Sequence, residues 1–368
     1  MSEISKLKIF ILLSITPCLA FGQKSVIQMN DELMANQIPE FAYAVVDSTS
    51  VLEENIYGYH HIGKEMKANS ADIADYFHLG SNTKAITSYI AAYLVNSRLI
   101  TWDTRFFELF PELKQKSNSA YYQITLADLL SHRAHIQRFT DGSEFAKLPV
   151  FKGNNQQRRQ AFSQVVLQRK PAFDKGVSYT YSNAGYTLAV QMLEKVSGKS
   201  WEELIDEVVG KKLKLHYAFG WPNLKNPNEP WGHWMINGKL QVVPGNTKYT
   251  LNLIEPAGDI SMPLNDYLKF VQLNLKGLSH GDIILDAKTY QYLLFGRSDY
   301  AMGWANEKIN GYNIANHAGS AGTFYCYTII DEKSKKAIIV MANSSTEKAE
   351  KFIDAFVDGL ETKYSFNR

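Results

Sequence analysis

In Phe77-His-Leu-Gly-Ser-Asn-Thr-Lys84 a short apolar run passes through a glycine into a helical pattern, about Ser81 to Leu99, rich in Ala, Ile, Tyr and Leu. Ser81 and Lys84 stand three residues apart at the start of that pattern. On a helix this spacing puts them on one face, one turn apart, so the amine can reach the hydroxyl. A serine hydroxyl is a poor nucleophile at neutral pH and needs a neighbouring base. Lysine can be that base only where burial or nearby positive charge lowers its pKa. The helix N-terminus also favours negative charge on an ionising Ser81. Spacing alone does not decide the matter. Ser5/Lys8 and Ser345/Lys348 repeat it, and a helix cap followed by a solvated lysine satisfies it equally. The glycine before Ser81 and the apolar helix after it set this occurrence apart.

Outward from that helix the chain divides into strand-rich ends and a helical middle. Phe41–Val46 and Val51–Tyr59 read as a hairpin turning at Asp47–Ser50. Helical signals dominate from about Thr101 to Gly220. They include Ile124–Leu130, Asn183–Val196 stopped by Gly198, and a helix opened by the capping box Ser200/Glu203. Two polar stretches, Lys152–Arg159 and Pro222–Pro230, read as surface loops. Trp234–Val243 reads as a hairpin around Asn237-Gly238. Strands return at Tyr312–Asn316, Thr323–Asp331 and Ala337–Asn343, the last two joined at Lys333–Lys335. A final amphipathic helix covers about Ser345–Thr362, with Ser344/Glu347 as a candidate capping box. This order predicts an α+β fold, an α/β sandwich. Its antiparallel sheet is built from both termini and flanked by helices, with a mostly helical lobe inserted. The expected division is an α/β lobe of residues 23–100 and 245–368 and a helical lobe of 101–244, with a cleft between them.

The sequence has 368 residues, 39 Lys and Arg against 37 Asp and Glu, and no basic stripe, so nucleic acid is not an expected partner. Lys6 and Lys8 precede an apolar stretch, Ile9–Ala20, that is shorter than the ~20 residues a spanning helix needs. Ala20-Phe21-Gly22 then offers small residues where a signal peptidase cuts. Residues 1–22 therefore read as a signal peptide, with Gln23 as the mature start of an exported, periplasmic or secreted protein. Cys18 leaves with the signal, and Cys326 alone makes no internal disulfide. Its place in the alternating run Thr323–Thr328 points to a buried packing residue.

Two further elements carry chemistry. In Tyr179-Thr-Tyr181-Ser-Asn183, Tyr181 can shuttle a proton and Asn183 can bond a substrate amide; a turn and helix N-cap at Ser182 or Asn183 fits the same residues. His317-Ala-Gly319-Ser320-Ala-Gly322 follows a short strand. Its glycines let a substrate backbone approach closely, and His317 is a polar or cationic group able to face an anion; a strand-end histidine beside a turn fits equally. Ser81, Tyr181 and His317 lie 100 and 136 residues apart, so nothing local relates them.

Taken in order, the three elements resemble the serine β-lactamase and penicillin-binding-protein superfamily. Within it they resemble the class C β-lactamase, DD-peptidase and esterase branch, which carries Ser-x-x-Lys, Tyr-x-Asn and Lys/His-x-Gly. Leu99-Ile-Thr-Trp-Asp103, Phe110-Pro111, Ile124–His132, Tyr181–Tyr186, Pro256-Ala-Gly258 and Met302-Gly-Trp304 are also similar to that family's text. The resemblance implies acyl transfer. Ser81 would attack a carbonyl, Lys84 and Tyr181 would share base and acid duties, and the amides of Ser81 and Ser320 would bind the oxyanion. Asn183 would orient the substrate, and His317 with Gly319 would line the opposite wall. It implies no metal or organic cofactor; His132 and His135 have ligand spacing but no third ligand.

Four departures bear on the substrate. His317 stands where β-lactamases usually carry Lys, and a neutral imidazole grips a carboxylate less firmly. Arg133-Ala-His135 replaces a usual Thr-Ser-Gly, Asp259 a usual Gly, and Lys175 a usual Pro. The expected function is hydrolysis of a small ester, amide or D-amino-acid peptide through an acyl-serine. The alternatives are a true β-lactamase and a non-catalytic penicillin-binding or sensor relative.

Overall fold

The computed structural model describes residues 25–63, 69–173, 176, 178–224, 226–244, 251–280 and 284–367. The signal-like segment 1–22 with Cys18, the start expected at Gln23, and Lys175 lie outside the described residues.

Strands β1 (Glu40–Asp47) and β2 (Val51–Gly58) form the first hairpin. Asp47 closes it as an Asx-type turn, its Oδ1 accepting from the amides of Thr49 at 2.8 Å and Ser50 at 2.6 Å. Three short strands follow: β3 (Tyr76–His78), β4 (Ala218–Phe219) and, after the hairpin of β5 (His233–Ile236) with β6 (Lys239–Val242), β7 (Ile260–Pro263). The C-terminal part supplies β8 (Asp299–Tyr300), β9 (Ala305–Ile309), β10 (Tyr312–Ser320), β11 (Tyr325–Asp331) and β12 (Lys336–Ala342). The main sheet runs β2-β1-β12-β11-β10-β9-β8, antiparallel throughout, so the two ends of the chain meet where β1 pairs with β12.

β1 explains the architecture. Its even residues Ala42, Ala44 and Val46 face a core shared with the inner helices, and its odd residues Phe41, Tyr43 and Val45 face a second core. The second core is closed by the helices Val26–Ala35 and Glu347–Lys363, through Met29, Leu33, Ile353 and Val357. A strand buried on both faces reads as a near-continuous apolar run, which is how Phe41–Val46 reads. Each fully buried Val, Leu, Ile or Phe contributes about 1.5–3 kcal/mol, so the layered order follows from these short runs.

Most expected elements are present. The Asn237-Gly238 turn has φ of 50° and 74°, the left-handed pair a tight hairpin requires. The helix Asn183–Ser197 ends at Gly198 with φ 69°, and Ser200/Glu203 forms a capping box. Cys326 is buried on β11.

Four readings need correction. Lys152–Arg159 is not a surface loop, because a helix runs Asn155–Gln168 and Asn154 caps it in a reciprocal box with Gln157. Its polar composition hid a helix whose capping signal was legible. Pro222–Pro230 is irregular beyond a turn at Pro222–Leu224, yet Pro222 and Asn223 are buried, and Asn223 Nδ2 donates to the Val243 carbonyl at 3.2 Å. The last helix is capped by Thr346, not by Ser344. His317–Ser320 does not follow a strand; it lies on β10, paired with Tyr325–Thr328. The helices Val26–Ala35, Leu264–His280 and Ala287–Phe295 carried no expectation.

Candidate active site

β3 leads directly to the proposed nucleophile. Its pairing with β7 continues as Leu79 N–H donates to the Ile260 carbonyl at 2.8 Å, and Gly80–Asn82 then forms one tight turn before the helix Thr83–Asn96. Ser81 sits in that turn and Lys84 in the first helical turn. The Lys84 ammonium donates to Ser81 Oγ at 3.1 Å, to Asn183 Oδ1 at 2.8 Å and to the Ala257 carbonyl at 2.8 Å. It also lies 4.7 Å from the Tyr181 ring centroid and 5.5 Å from that of Tyr186. All these partners are neutral, and among the described residues no carboxylate pairs with Lys84. At 0% exposure, burial alone holds its pKa well below the ordinary 10.5.

Tyr181 and Asn183 arrive at the start of the helix Asn183–Ser197. Ser182 caps that helix, donating through Oγ to the Gln137 carbonyl at 2.7 Å and accepting from Gly185 N–H at 2.9 Å. The cap and the site therefore use adjacent residues, and the two readings of this segment are compatible. Asn183 is fixed from behind, Nδ2 donating to the Phe139 carbonyl at 2.9 Å, which aims Oδ1 at Lys84. Burial pushes the Tyr181 phenol pKa up, and a hydrogen bond with Ser81 opposes this.

β10 forms the facing wall. Gly319 passes so close to the nucleophile turn that a Cβ there would lie 2.1 Å from the Leu79 carbonyl oxygen and 2.8 Å from the Ser81 amide nitrogen. A Cβ on Gly80, whose φ is 51°, would lie 2.5 Å from the Ser320 amide nitrogen. These two glycines bring the amides of Ser81 and Ser320 together. The Ser320 hydroxyl bonds Ser345 Oγ at 2.8 Å. Lys348, three residues beyond Ser345, is exposed, so that repeat of the spacing builds no second site.

His317 is not a cationic group. Its Nδ1–H donates to the Ala318 carbonyl at 2.8 Å, so Nε2 accepts from the Tyr300 hydroxyl at 2.9 Å. Burial, then the nearby Lys84 charge, lowers its pKa to about 3. His132, which closes the family-like run Ile124–His132 and was weighed as half of a metal pair, is buried against the rings of Tyr181 at 4.3 Å and Tyr300 at 4.5 Å. Its Nδ1 accepts from Ser182 N–H at 3.2 Å, while His135 turns to Thr180 Oγ1 at 3.3 Å and to the Phe173 ring. Sequence reasoning missed Tyr300 and gave no role to Tyr186 or Ala257, although both lie in segments similar to the family's text; all three reach the site by three-dimensional proximity.

The departures have structural uses. Arg133 donates to the carbonyls of Tyr300 at 2.8 Å and Ser298 at 2.6 Å, holding the segment that presents Tyr300. His78 Nδ1 accepts from Gly80 N–H at 3.2 Å, which leaves Nε2–H to donate to Asp259 Oδ1 at 3.3 Å. The imidazole stacks on Trp221 at 4.7 Å, so Asp259 buttresses the nucleophile turn through His78.

The Beta-lactamase family model matches residues 26–361. Protein flp of Staphylococcus aureus strain MW2 is 22% identical over 334 residues, covering 88% of this chain. The chain spans 63% of that relative's length, and the same share of the 23% identical flp of strain COL. An octameric penicillin-binding protein homologue from Pyrococcus abyssi superposes with a TM-score of 0.68 at 19% identity, over 87% of this chain and 72% of its own. A class C β-lactamase mutant superposes at 0.67, also 19% identical, over 89% and 93%.

Proposed function

The chain belongs to the beta-lactamase family, and we propose that it is an exported serine hydrolase acting through an acyl-Ser81 intermediate on a small ester, amide or D-amino-acid peptide. The observation that carries this reading is the buried Lys84 amine, 3.1 Å from Ser81 Oγ and surrounded only by neutral partners. Such an amine loses its proton far more readily than a solvated one and can act as a base near neutral pH. Tyr181 is shifted in the opposite direction and keeps its proton. This divergence supports Lys84 as the first base and Tyr181 as the acid.

Ser81 Oγ attacks the substrate carbonyl carbon while its proton passes to Lys84 Nζ. The carbonyl oxygen takes the negative charge and is met by the amides of Ser81 and Ser320; losing one such donor typically costs about 10²–10³ in rate. The C–O or C–N bond then breaks, Tyr181 protonates the leaving group, and Lys84 re-protonates Tyr181. Water attacks the acyl-serine with its proton passing to Lys84, and the acid leaves as Ser81 regains its hydrogen. Asn183, tied to Lys84 and Phe139, positions the amine.

Neutral His317 favours uncharged esters and amides over β-lactams, whose carboxylate a Lys at that position would pair. The test is a panel of a nitrophenyl ester, a D-Ala-D-Ala peptide and a chromogenic cephalosporin, with intact-mass detection of acyl-Ser81. Ester turnover that disappears in Ser81→Ala supports the proposal. Turnover unchanged by that substitution would refute the mechanism. Dominant cephalosporin turnover makes the protein a β-lactamase, and labelling without turnover makes it a binding or sensor relative. Export is tested by N-terminal sequencing of the mature protein, expected to begin at Gln23.

A further inference from the structure

The start of β1 carries an acidic group that the acyl-transfer chemistry does not use. Glu40 is fully buried, at 0% exposure, and among the described residues no N–H or hydroxyl donor reaches either carboxylate oxygen; the only polar group close enough to bond it is the Asp75 carboxyl. Leaving a buried carboxylate without a donor is costly. The side chain is not pointing into apolar packing. Ligand-type atoms of Glu40, His60 and Asp75 all lie within 4.8 Å of one another. His60 Nε2 and Asp75 Oδ2 are 2.9 Å apart, at side-chain exposures of only 13% and 9%. Glu229 adds a third negative charge nearby and is itself fixed by accepting from Tyr76 N–H at 3.1 Å. Burial, followed by the charge of Asp75, pushes the Glu40 pKa well above its ordinary value.

We propose that Glu40, His60 and Asp75 form a binding site for one divalent transition-metal ion. Two carboxylates and one neutral imidazole sum to a charge of −2, which a divalent ion neutralises. One nitrogen and two oxygen donors suit Zn²⁺ or Mn²⁺ better than Ca²⁺, which takes an all-oxygen shell. The backbone at each corner is already fixed. Glu40 N–H donates to Asn343 Oδ1 at 2.8 Å, Asn343 Nδ2 donates to the His60 carbonyl at 2.9 Å, and Asp75 N–H donates to the Asp72 carbonyl at 2.9 Å. The ion clamps three segments: the start of β1, the chain leaving β2, and the residue before β3. Because β3 runs straight into the Ser81 turn, the clamp steadies the nucleophile's base while contacting no substrate.

The experiment uses the full chain, stripped with a chelator and titrated with ZnCl₂, MnCl₂ and CaCl₂ by calorimetry and thermal unfolding. The expected result is one Zn²⁺ or Mn²⁺ per chain, with a midpoint temperature that rises with metal concentration as ligand linkage requires. Ca²⁺ at the same concentrations leaves the midpoint unchanged. Glu40→Gln relieves the carboxylate repulsion and folds without metal, but weakens binding by about 100-fold or more, beyond the ~10–100-fold expected for outer partners. His60→Gln, at the more exposed edge, serves as a second variant and loses affinity likewise. Ser81→Ala keeps the stoichiometry. Absence of Zn²⁺ and Mn²⁺ uptake at millimolar concentration would overturn the proposal, and Glu40 and Asp75 would then share a proton. Binding unchanged in both Glu40→Gln and His60→Gln would overturn it equally, placing the ion elsewhere.

Discussion

Lys84 and Arg159 are both removed from water, at 0% and 1% exposure, yet they meet opposite surroundings. Arg159 is ringed by carboxylates: Glu194 at 2.7 Å, Glu202 at 2.8 Å and Glu255 at 3.6 Å. Burial opposes its charge, and Glu202, Glu194 and Glu255 more than offset that cost. Lys84 receives two carbonyl oxygens, a hydroxyl and two aromatic faces, and its charge is held only weakly. One buried cation sits among carboxylates and the other among neutral groups, and the difference lies in the partners rather than in the cations. The two are also joined. Glu255 and Ala257 belong to one short turn, Glu255–Gly258, so the Arg159 network fixes the segment whose carbonyl accepts from Lys84.

Exchanging the cation type tests the comparison most severely. Lys84→Arg keeps the positive charge but, with a pKa near 12.5–13.8, cannot supply a neutral base. Acylation by a nitrophenyl ester should fall by about 10²–10⁴-fold, with the fold intact by circular dichroism. Arg159→Met breaks the other region and leaves three carboxylates unpaired. It should lower unfolding stability by about 3–5 kcal/mol in urea titration, with kcat changed far less than in Lys84→Arg. A large loss of kcat without loss of stability would show that the regions are not separable in this way. Gly319→Ala forces a Cβ against the Ser81 amide and should cost about 10²–10³ in kcat at similar KM. Wild-type turnover in that variant would remove Ser320 N–H from the oxyanion site.

The smallest effect concerns Glu255. Burial outweighs Arg159 and raises its carboxyl from 4.5 to about 7. The native state therefore binds more protons than the unfolded state between those values. The contribution to stability is fully present below pH 4.5 and is lost as pH rises through 7. Glu255→Gln should flatten the stability profile across that window; a profile identical to wild type would contradict the assignment.

Much of this was legible in sequence because it is local. The run Phe41–Val46, the Asn237-Gly238 turn and the Ser200/Glu203 cap each announce their structure within a few residues. The approach of Lys84 to Ser81 follows from their spacing for the same reason, whereas the gathering of Tyr181, Asn183 and His317 around them was expected only through ordered resemblance. The Arg159 network was hidden because a Gln- and Arg-rich helix looks solvated until Glu194, Glu202 and Glu255 arrive from other segments. The state of His317 was hidden as well, since its burial and the Tyr300 hydroxyl that meets Nε2 depend on the fold, while the Ala318 carbonyl holds the proton on Nδ1. The Glu40, His60 and Asp75 cluster had no signal, because its members lie on three separate segments with no motif spacing.

The most direct test of the claim that Lys84 acts as a neutral base is the pH dependence of the acylation rate of Ser81. It should be followed by single-turnover kinetics with a nitrophenyl ester, in wild type and in Glu255→Gln to exclude that carboxyl. The rate is predicted to reach its plateau well below pH 10.5 and to fall on the acid side of that plateau, because burial shifts Lys84 towards the neutral amine. A rate that keeps rising tenfold per pH unit towards 10.5 would mark a lysine with its ordinary pKa and contradict the mechanism.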